Sequence, residues 1–600
     1  MATDEASEST KSSDSNGTFV HVADADKLKE EGRLLVNRNG RGLALFYHEG
    51  EFRAVDNRCP HMGFPLTEGS VEDGILTCHW HHARFELSCG DTFDPWADDV
   101  QAFPTEERDG DIYVNLTPKR EESPEDHWKE RLETGLEENL RLVVAKSVIG
   151  LSNAGVPDAE PLRIGAEFGA RYREQGWSSG LTIHSCMANV LPDLRDDDRP
   201  RALYTGLRHV ASDCQGESPR FDQPSFETEA VSANRLGKWF RDCVEVRDRD
   251  GAERCLQTAI ATLDPEQVAE ILYAAATDHL YLDAGHSFDF INKALELLDH
   301  VGWERAETVL PSVIPRLTDA RRSEELSSWT QPIDLAELLF DCFDQLGELV
   351  EAGKAERKSK EEGEETWDEP DDFTETLLSD DPHAILDALK DAIRAGATCE
   401  ELADRVSFVS LMRVAQFGTA NEFSDWNTVH HTLTYNNAVQ RAAKRTSSTA
   451  LYRGVLAGAM SVYLDRFLNT PPTPVPSIDT SDADPDALRE ELLETFDEEG
   501  NVNAAGAIVA EHFSADGDPA ALKETLGQAL LREDAGFHTL QNLEASFAQF
   551  DLREDGEEKE LALISLARYM AAHFPTRREA EQTYVIADRL NRGEKIHESN

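Results

Sequence analysis

Two short segments of this 600-residue chain carry the residues best suited to bind metal. Cys59-Pro60-His61 is followed, after sixteen residues, by Cys78-His79-Trp80-His81. Together they offer two thiolates and two imidazoles, which can hold a [2Fe–2S] cluster with two Cys on one iron and two His on the other. Each segment then gives one ligand to each iron. Because neutral imidazoles replace two anionic thiolates, the cluster is easier to reduce.

Two other interpretations of these four residues are open. Zinc also binds two Cys and two His, but zinc-finger sequences pair Cys with Cys and His with His, whereas each segment here mixes the two. The residues could also be structural loop residues that bind nothing. The mixed spacing favours the iron–sulfur interpretation.

The region from about residue 17 to residue 116 resembles the Rieske iron–sulfur domains. The resemblance implies that Cys59 and Cys78 bind one iron and that His61 and His81 bind the other. Besides the two segments already described, it rests on Gly63-x-Pro65-Leu66, on Ala83-x-Phe85-x-Leu87 and on the loop from Gly90 to Pro95.

Departures from the family pattern indicate which branch the domain resembles. High-potential respiratory members join the two cluster loops through a second Cys pair, and the corresponding positions here are Phe64 and Trp80. Those members also place Ser and Tyr hydroxyls against the cluster sulfurs, where this chain has Ala83 and Phe85. Fewer hydrogen bonds to sulfur and an anionic protein disfavour adding an electron, so a soluble, low-potential, ferredoxin-type domain is implied. Two extra imidazoles stand where the family more often has Pro and Gly, namely His79 and His82.

The chain is strongly acidic, with 116 Asp and Glu against 59 Lys and Arg and a formal net charge of -57. Such a surface repels nucleic acid and anionic membranes, so neither is an expected partner. The charge is spread along the chain, which resembles the composition of proteins from extreme halophiles. The hydrophobic content of 40% is enough for substantial cores.

Cysteine usage and hydropathy predict a cytoplasmic protein. Of the 9 cysteines, those other than Cys59 and Cys78 show no disulfide framework, which suits a reducing compartment. Residues 1–15 are polar and acidic and lack the apolar core of a signal peptide. No stretch approaches the ~18 apolar residues that a membrane span requires.

The residue pattern predicts a multidomain protein, in which an all-β Rieske-type domain precedes a large all-α, internally duplicated domain. Short apolar runs separated by Gly-containing turns fill the first domain, and helical periodicity continues from about Glu125 to the end. The predicted segments are a disordered tail at 1–16, the iron–sulfur domain at 17–117, helical halves at 123–355 and 372–600, and an acidic linker at 356–371.

The duplication in the helical region rests on two matches. Thr182-Ile183-His184-Ser185 matches Thr428-Val429-His430-His431, and Asp283-Ala284-Gly285-His286 matches Asp534-Ala535-Gly536-Phe537-His538. The matches occur in the same order with nearly the same separation. Chance similarity between Ala-rich helices does not readily explain two collinear matches.

The duplication singles out four histidine positions. If the halves pack about a pseudo-two-fold axis, these imidazoles could converge as metal ligands or as general acid–base groups for an organic substrate. The alternative is that they are packing histidines at the repeat interface. The candidates are His184, His286, His430 or His431, and His538, with Asp283, Asp534, Tyr204 and Tyr452 as second members.

Rieske ring-hydroxylating oxygenases pair this type of cluster with a mixed α+β catalytic domain, where two His and one carboxylate hold a mononuclear iron. The nearest counterpart here is Asp283-x-x-His286, and Ile291 stands where the second His would fall. Because the surrounding region is helical and duplicated, this interpretation is disfavoured. Asp283 and His286 remain candidate iron ligands.

Two functions remain open. The first is an oxidoreductase whose cluster feeds electrons to a histidine-lined pocket in the helical region, which would hold a small-molecule substrate or a second metal. Covalent fusion supports it by raising the effective concentration of donor near acceptor. The second is a non-catalytic ferredoxin-like electron carrier or redox sensor whose helical region docks a partner protein. Both need a protein electron donor or acceptor, such as a reductase or a ferredoxin, whereas a purely structural repeat scaffold would leave the cluster without a role.

Overall fold

The computed structural model of the protein describes residues 19–119, 123–227, 231–359, 367–477, 480–594 and 596. The tail predicted at 1–16 lies outside these residues, as does part of the predicted linker, 360–366. The chain divides into two compact units. The first comprises the described residues within 1–135, 149–154 and 585–600, and the second those within 136–148 and 155–584.

The first unit contains the predicted small antiparallel β domain. Its strands, within the described residues, are β1 (Phe19–Asp24), β2 (Arg33–Arg38), β3 (Arg41–His48), β4 (Glu51–Asp56), β5 (Ser70–Glu72), β6 (Ile75–Thr77), β7 (Arg84–Glu86), β8 (Ala102–Phe103), β9 (Thr105–Arg108) and β10 (Asp111–Asn115). They form three sheets, with strand orders β1-β10-β9, β2-β3-β4-β8 and β5-β6-β7. All pairings are antiparallel.

Two hairpins turn where the sequence predicted, at Asn39-Gly40 and at Glu49-Gly50. Strand β2 pairs with β3 through Arg38 and Arg41, which leaves Asn39 and Gly40 as a two-residue turn. Their φ angles are 50° and 79°. Positive φ at both central residues is the type I′ geometry that matches the twist of paired strands. The register of β3 is therefore set locally.

One helix of this unit was not predicted. Helix α1 (Ala25–Glu31) begins after Asp24, whose side chain accepts a hydrogen bond from the Lys27 N–H group at 2.8 Å, and it ends at Gly32 with φ 74°. Ala25 and Leu28 are its buried residues. A helix of seven residues is too short for an apolar period to stand out in the sequence.

The two segments that carry the metal-binding residues connect strands of the β domain. The Cys59 segment follows β4, and the Cys78 segment joins β6 to β7. Both Cys side chains belong to one buried core. That core also contains Ala44, Val55, Leu66, Leu76, Phe85 and Leu87. The strands thus give the two segments a rigid base.

The region after residue 123 is all-helical throughout its described residues, as predicted. Its helices are α2 (Pro124–Glu137), α3 (Arg141–Asn153), α4 (Ala159–Arg171), α5 (Ser179–Val190), α6 (Arg199–Cys214), α7 (Ala233–Glu245), α8 (Arg249–Thr262), α9 (Pro265–Ala276), α10 (His286–Val301), α11 (Ala306–Val309), α12 (Pro315–Thr318), α13 (Ser327–Thr330), α14 (Leu335–Ser359), α15 (Phe373–Leu377), α16 (Pro382–Ala395), α17 (Cys399–Ala415), α18 (Phe423–Arg445), α19 (Leu451–Leu464), α20 (Pro485–Thr495), α21 (Val502–Ser514), α22 (Pro519–Leu531), α23 (Phe537–Leu552), α24 (Glu557–His573) and α25 (Glu579–Asn591). Helix α14 extends to Ser359, so the linker predicted from residue 356 begins as helix. None of the described helices is long and apolar enough to cross a membrane.

Four helices form the centre of the second unit. Helix α5 packs against α10 and α23, and α18 packs against the same two helices, so the four contacts close a ring. The first predicted half supplies α5 and α10, and the second supplies α18 and α23. The two sequence matches fall on α5 with α18 and at the starts of α10 and α23. This pairing is the one expected of a two-fold repeat, and it brings the four histidine positions to one bundle.

Candidate metal centres

The two Cys segments of the first unit share one backbone conformation. In each, the Cys N–H group donates to the carbonyl oxygen five residues later, and the Cys carbonyl accepts from the N–H group four residues later. Local hydrogen bonds therefore shape both loops in the same way. The bonds are Cys59 to Phe64 (2.8 Å), Gly63 to Cys59 (2.7 Å), Cys78 to Ala83 (2.8 Å) and His82 to Cys78 (3.0 Å).

The fourth residue after each Cys needs a left-handed backbone. Gly63 has φ 81° and His82 has φ 64°. Glycine adopts this conformation without steric cost, whereas a residue with a Cβ atom pays for it. The backbone of His82 is therefore strained, and the loop keeps the same shape as the loop with Gly63.

The thiols and the imidazoles differ in exposure. Cys59 and Cys78 are buried, at 2% and 1% exposure. His61 is half-buried and His81 is exposed, and their ring centroids lie 4.9 Å apart in an edge-to-face arrangement. A group held by all four residues would have its sulfur side in the core and its imidazole side at the protein surface.

Hydrogen bonds to the two sulfurs stabilise a thiolate at Cys78. The Cys59 thiol donates to Cys78, which is the largest cause that lowers the pKa of Cys78 to about 6; the same bond, together with burial, raises the pKa of Cys59. Backbone N–H groups two and three residues after each Cys also donate to its sulfur. Two adjacent sulfurs with oriented donors fit an iron ion bound by both.

A single zinc ion fits this donor set less well. Zinc bonds of about 2.0–2.3 Å would hold all four donor atoms within about 4 Å of one another. Among the described residues, no three of these four donors lie within 4.8 Å of one another. Separated sulfur and nitrogen pairs are what a two-iron centre requires.

The third loop, residues 90–95, lies beside His61. The Asp94 carboxylate accepts hydrogen bonds from the backbone N–H, Nε and Nη2 of Arg84 at 2.8, 3.2 and 2.8 Å, which attaches the loop to β7. Trp96 follows the loop and packs against His61, with 4.7 Å between ring centroids. The loop thereby fixes one face of this imidazole.

Gly90 is the position in this loop where a side chain should do most damage. Its φ is 91°, and an added Cβ atom would collide with the carbonyl oxygen of Val100. The Val100 N–H group donates to the Gly90 carbonyl oxygen at 2.9 Å, which holds the two residues close together. We expect Gly90→Ala to cost about 1–2 kcal/mol from the backbone conformation and about 1–3 kcal/mol more from the collision. Thermal unfolding followed by cluster absorption would measure the loss. Gly74→Ala is the matched control, because Gly74 has φ 78° and open space around it; equal losses for the two variants would contradict the prediction.

The positions that the family resemblance singled out lie where expected. Phe64 and Trp80 face each other with ring centroids 6.0 Å apart, in place of a disulfide. Ala83 and Phe85 are fully buried and bring no hydroxyl to the sulfurs. The backbone is therefore the main source of hydrogen bonds to this centre.

In the second unit, three of the predicted histidines come together. His286 begins α10, His431 lies within α18 and His538 lies in the first turn of α23. One ring nitrogen of each lies within 4.8 Å of the other two, which among the described residues is the one such group of three. The Nε2 atoms of His431 and His538 are 2.9 Å apart. Two ligands bound about 2.1 Å from one ion at a right angle are about 3 Å apart, so this spacing fits a shared metal. We call these three residues the histidine triad.

The histidine triad is in the protonation state that binds metals. Burial lowers the pKa of His286 to about 4 and the pKa values of His431 and His538 to about 3, and neighbouring imidazoles or Arg316 add to the effect. The three rings are therefore neutral at neutral pH. Neutral imidazole is the form that coordinates a metal ion.

The structure places the other histidine candidates outside the triad. Both ring nitrogens of His430 are engaged, with Nε2 3.3 Å from Gln541 Oε1 and Nδ1 accepting from Asn542 at 3.2 Å. His184 is fully buried, and its Nε2 lies 2.9 Å from the Leu162 carbonyl oxygen. Of the two predicted alternatives, His430 and His431, it is thus His431 that belongs to the triad.

The second members are also elsewhere. The Asp283 carboxylate accepts a hydrogen bond from the backbone N–H group of Arg321 at 2.9 Å, which holds a loop in place. Asp283 does not join the three histidines as an iron ligand would. Asp534 accepts from the N–H group of Ala580 at the start of α25, and the Tyr452 hydroxyl donates to a backbone carbonyl. Tyr204 stacks near Tyr584, with centroids 5.8 Å apart.

The segment just before His286 is strained. Three of its residues other than glycine lie in the left-handed region, and each costs about 1–3 kcal/mol there. Such strain persists where the surrounding structure enforces it, and it concentrates at functional sites. The φ angles are 44° at Tyr281, 49° at Asp283, 57° at Ala284 and 92° at Gly285.

A buried charge cluster, which the sequence pattern did not predict, connects the central helices. Lys293 Nζ lies 2.8 Å from Glu296 Oε2 and 2.7 Å from Glu544 Oε1, and all three side chains are buried. Asn189 Nδ2 donates to both carboxylates, at 2.8 and 2.9 Å. The sequence signal was a Lys three residues before a Glu, a spacing that usually marks an exposed helix face.

Asp289 lies near this cluster and should make stability depend on pH. Burial raises the pKa of Asp289 to about 8 from 3.8, and Gln541 donates to its Oδ2. Because the folded state keeps the proton between these values and the unfolded state does not, stability falls as pH rises, by up to about 1.4 kcal/mol per pH unit. Asp289→Asn imitates the protonated side chain, so we expect this component of the slope to vanish in urea unfolding between pH 5 and 8. The exposed Asp380→Asn serves as the control; an unchanged slope in Asp289→Asn would contradict the expectation.

A cavity of about 600 Å³ in the second unit reaches the histidine triad. His431 lines it, and so does Ala284 of the strained segment. This volume lies within the range of about 300–1,000 Å³ that is typical of small-molecule sites. The triad thus has a neighbouring space in which a substrate could lie.

Comparison with known proteins identifies the β domain. The family model described as the Rieske [2Fe-2S] domain matches residues 18–104. The "3-phenylpropionate/cinnamic acid dioxygenase ferredoxin subunit" of Photorhabdus laumondii is 36% identical over 80 residues, which cover 13% of this chain and 76% of that protein. A human "Rieske domain-containing protein" is 36% identical over 76 residues, which cover 12% of this chain and 48% of that protein. The chain thus spans about half the length of this human relative.

A solved structure shows the same similarity. A chain of the "complex of reduced oxygenase and oxidized ferredoxin in carbazole 1,9a-dioxygenase" is 26% identical with a TM-score of 0.17, covering 18% of this chain and 100% of that chain. Like the sequence relatives, it matches a small part of the chain. Through residues 18–104, this chain belongs to the Rieske [2Fe–2S] domain family, whose domain transfers electrons, and it continues as a large all-helical region.

Proposed function

We propose that the protein is an oxidoreductase whose Rieske cluster supplies electrons to a metal ion held by the histidine triad. In this proposal Cys59 and Cys78 bind one iron of the cluster, and His61 and His81 bind the other. The observation that carries the proposal is the convergence of three neutral histidines, from both halves of the duplicated region, beside a cavity of about 600 Å³.

The exposure of the cluster residues supports an electron path through the imidazoles. When bound, the cluster accepts and donates single electrons. The two Cys side chains keep its sulfur side in the core, while the exposed His81 offers an edge to a partner. The Photorhabdus relative is the ferredoxin subunit of a dioxygenase. A reductase or a ferredoxin is accordingly the proposed electron donor, and the acidic surface favours a partner with a basic face.

The chemistry of the triad supports a first-row transition ion at the second site. Imidazole ligands suit iron, copper, nickel and zinc, and three protein ligands leave coordination positions free for substrate or water. The strained segment before His286 and the central helices hold the three rings in place. The triad residues thereby orient a metal toward the cavity that His431 lines.

The experiment is metal analysis and EPR spectroscopy of the full chain, purified anaerobically at high salt and then incubated with Fe²⁺. We expect the iron and sulfide of one cluster plus about one further iron ion. The cluster should give its EPR signal after reduction, and the further ion a separate signal after oxidation to Fe³⁺. His431→Ala and His538→Ala should lose the further ion and keep the cluster, whereas the exposed His383→Ala should lose neither. Cluster iron alone, unchanged by the triad variants, would contradict the proposal. That outcome would leave the second candidate function, an electron carrier or redox sensor whose helical region docks a partner.

A further inference from the structure

The cavity beside the histidine triad has a mostly apolar wall. The wall comes from the end of α19, the segment after it, residues around α13, and one face of α18. An apolar lining selects hydrocarbon or aromatic ligands, because their burial is driven by loss of water contact. The apolar wall residues include Leu326, Trp329, Ile333, Leu335, Leu464 and Leu468.

Hydroxyl and carboxyl groups are grouped on one part of this wall. The hydroxyls of Tyr281, Thr432 and Ser461 lie close together, and Thr432 also lies close to the Asp465 carboxyl group. All four residues line the cavity. A few polar groups in an otherwise apolar pocket fix the orientation of a ligand.

Asp465 has an oxygen atom without a partner. The residue is 4% exposed, and its Oδ2 is buried with no hydrogen bond. The nearby Arg413 does not supply one, because its Nε and Nη2 donate to the carbonyl oxygens of Val462 and Leu378. A buried acceptor left unsatisfied destabilises the protein, so an unsatisfied carboxyl in a cavity wall is suited to a donor on a ligand.

A ligand of either charge would meet a like charge on the wall. Arg321 and Arg466 line the cavity and oppose a cationic ligand, whereas the Asp465 carboxyl opposes an anionic one. The Arg466 guanidinium already stacks on the rings of Tyr463 and Phe467, at 3.7 and 3.9 Å. Burial raises the pKa of Asp465 to about 7, so this carboxyl carries less than a full charge at neutral pH. A neutral hydroxyl is the donor that satisfies it best.

We propose that this cavity binds a neutral, mainly apolar small molecule that carries one hydroxyl group, a phenol or an alcohol, and that the hydroxyl donates to the Asp465 carboxyl group in the cavity wall. Thr428, His431 and Thr432 lie three and four residues apart on one face of α18, so a ligand anchored at Thr432 and Asp465 has its apolar body beside His431. The inference names the substrate class of the proposed function and rests on it for the reaction. Binding itself does not require the metal.

The test compares two probes of one shape, 2-naphthol and 2-methoxynaphthalene, titrated into the full chain and followed by ligand fluorescence. We expect saturable binding of 2-naphthol, and binding of the methyl ether weaker by at least about tenfold, because the ether leaves Asp465 without a donor. Asp465→Leu should remove the preference while keeping the fold, as judged by circular dichroism. The exposed Asp391→Asn, whose ion pair is with Arg394 outside the cavity, is the control and should keep the preference.

Three results would overturn the inference: no saturable binding of 2-naphthol, equal affinity for the two probes, or an unchanged preference in Asp465→Leu. Asp465→Ala provides a second variant if Asp465→Leu fails to fold, and it should likewise remove the preference, because it also removes the carboxyl group. The titrations are run on metal-free and metal-loaded protein. If the protein incubated with Fe²⁺ retains no ion at the triad but still prefers 2-naphthol, the proposed function is refuted and the inference stands; a retained ion without the preference does the reverse.

Discussion

Cys78→Ser is expected to abolish the iron–sulfur cluster. Cys78 is 1% exposed, and its sulfur accepts hydrogen bonds from Cys59 and from two backbone N–H groups, which stabilise the thiolate. Serine offers a weakly acidic hydroxyl in place of that soft ligand. Changes to groups that only hydrogen-bond a metal ligand already cost about 10- to 100-fold in affinity, so loss of the ligand itself should cost more.

Iron and acid-labile sulfide content, visible absorption and EPR of the reduced protein would measure this loss. Cys89→Ser is the matched control, because Cys89 lies in the same domain but is exposed. Partial loss of solvent and a hydrogen bond with Glu86 raise its pKa to about 11, so it stays a thiol at neutral pH. The Cys89→Ser variant should keep the full cluster. A Cys78→Ser protein with wild-type iron and EPR signal, or a Cys89→Ser protein without them, would refute the ligand assignment.

Lys293→Met is expected to cost about 3–5 kcal/mol of stability at neutral pH. Burial disfavours charge on Lys293, but Glu296 and Glu544 outweigh it and raise its pKa well above the usual value. Burial likewise opposes ionisation of Glu296, yet the charges of Lys293 and Arg441 lower its pKa to about 2. Removing the ammonium group leaves two buried carboxylates without their main counter-charge, a mechanism that is among the most destabilising for single substitutions.

The loss should depend on pH in a definite direction. In the wild type, the depressed pKa of Glu296 contributes stability that is present above 4.5 and is lost as pH falls toward about 2. In Lys293→Met the carboxyls can escape the penalty by taking up protons, so the difference between the proteins should shrink from pH 7 to pH 4. Urea unfolding followed by far-ultraviolet circular dichroism would measure it. Lys354→Met removes an exposed ion pair to Glu351 and should change stability by less than about 1 kcal/mol; a similar loss in both variants would contradict the account.

Much of the β domain could be predicted because its information is local. The turn at Asn39-Gly40 needs two residues that tolerate positive φ, and the apolar runs on either side alternate as strands do. The short strands β5 to β9, of two to four residues, were not predicted, since their pairing depends on partners that the sequence pattern does not identify. Helix α1 was not predicted because seven residues are too few to show an apolar period.

The helical site was predicted only in outline. The predicted duplication pointed to His184, His286, His430 or His431, and His538. The structure brings His286, His431 and His538 together. Which ring turns inward depends on the rotation of each helix about its axis. Packing decides that rotation. The His184 ring packs directly against Gly165 and Gly206, so this imidazole fills a separate space in the core.

By itself, the sequence determined the iron–sulfur domain and the acidic all-helical region that follows it, because mixed Cys/His spacing, charge and periodicity act over a few residues or along one chain segment. Only the tertiary structure decided which histidines meet, that Asp465 is buried with an unsatisfied oxygen, and that Lys293 neutralises Glu544 from 251 positions away in the chain. Burial of a charged group is tolerated only when its partner is in place, and that partner is chosen by how the helices pack.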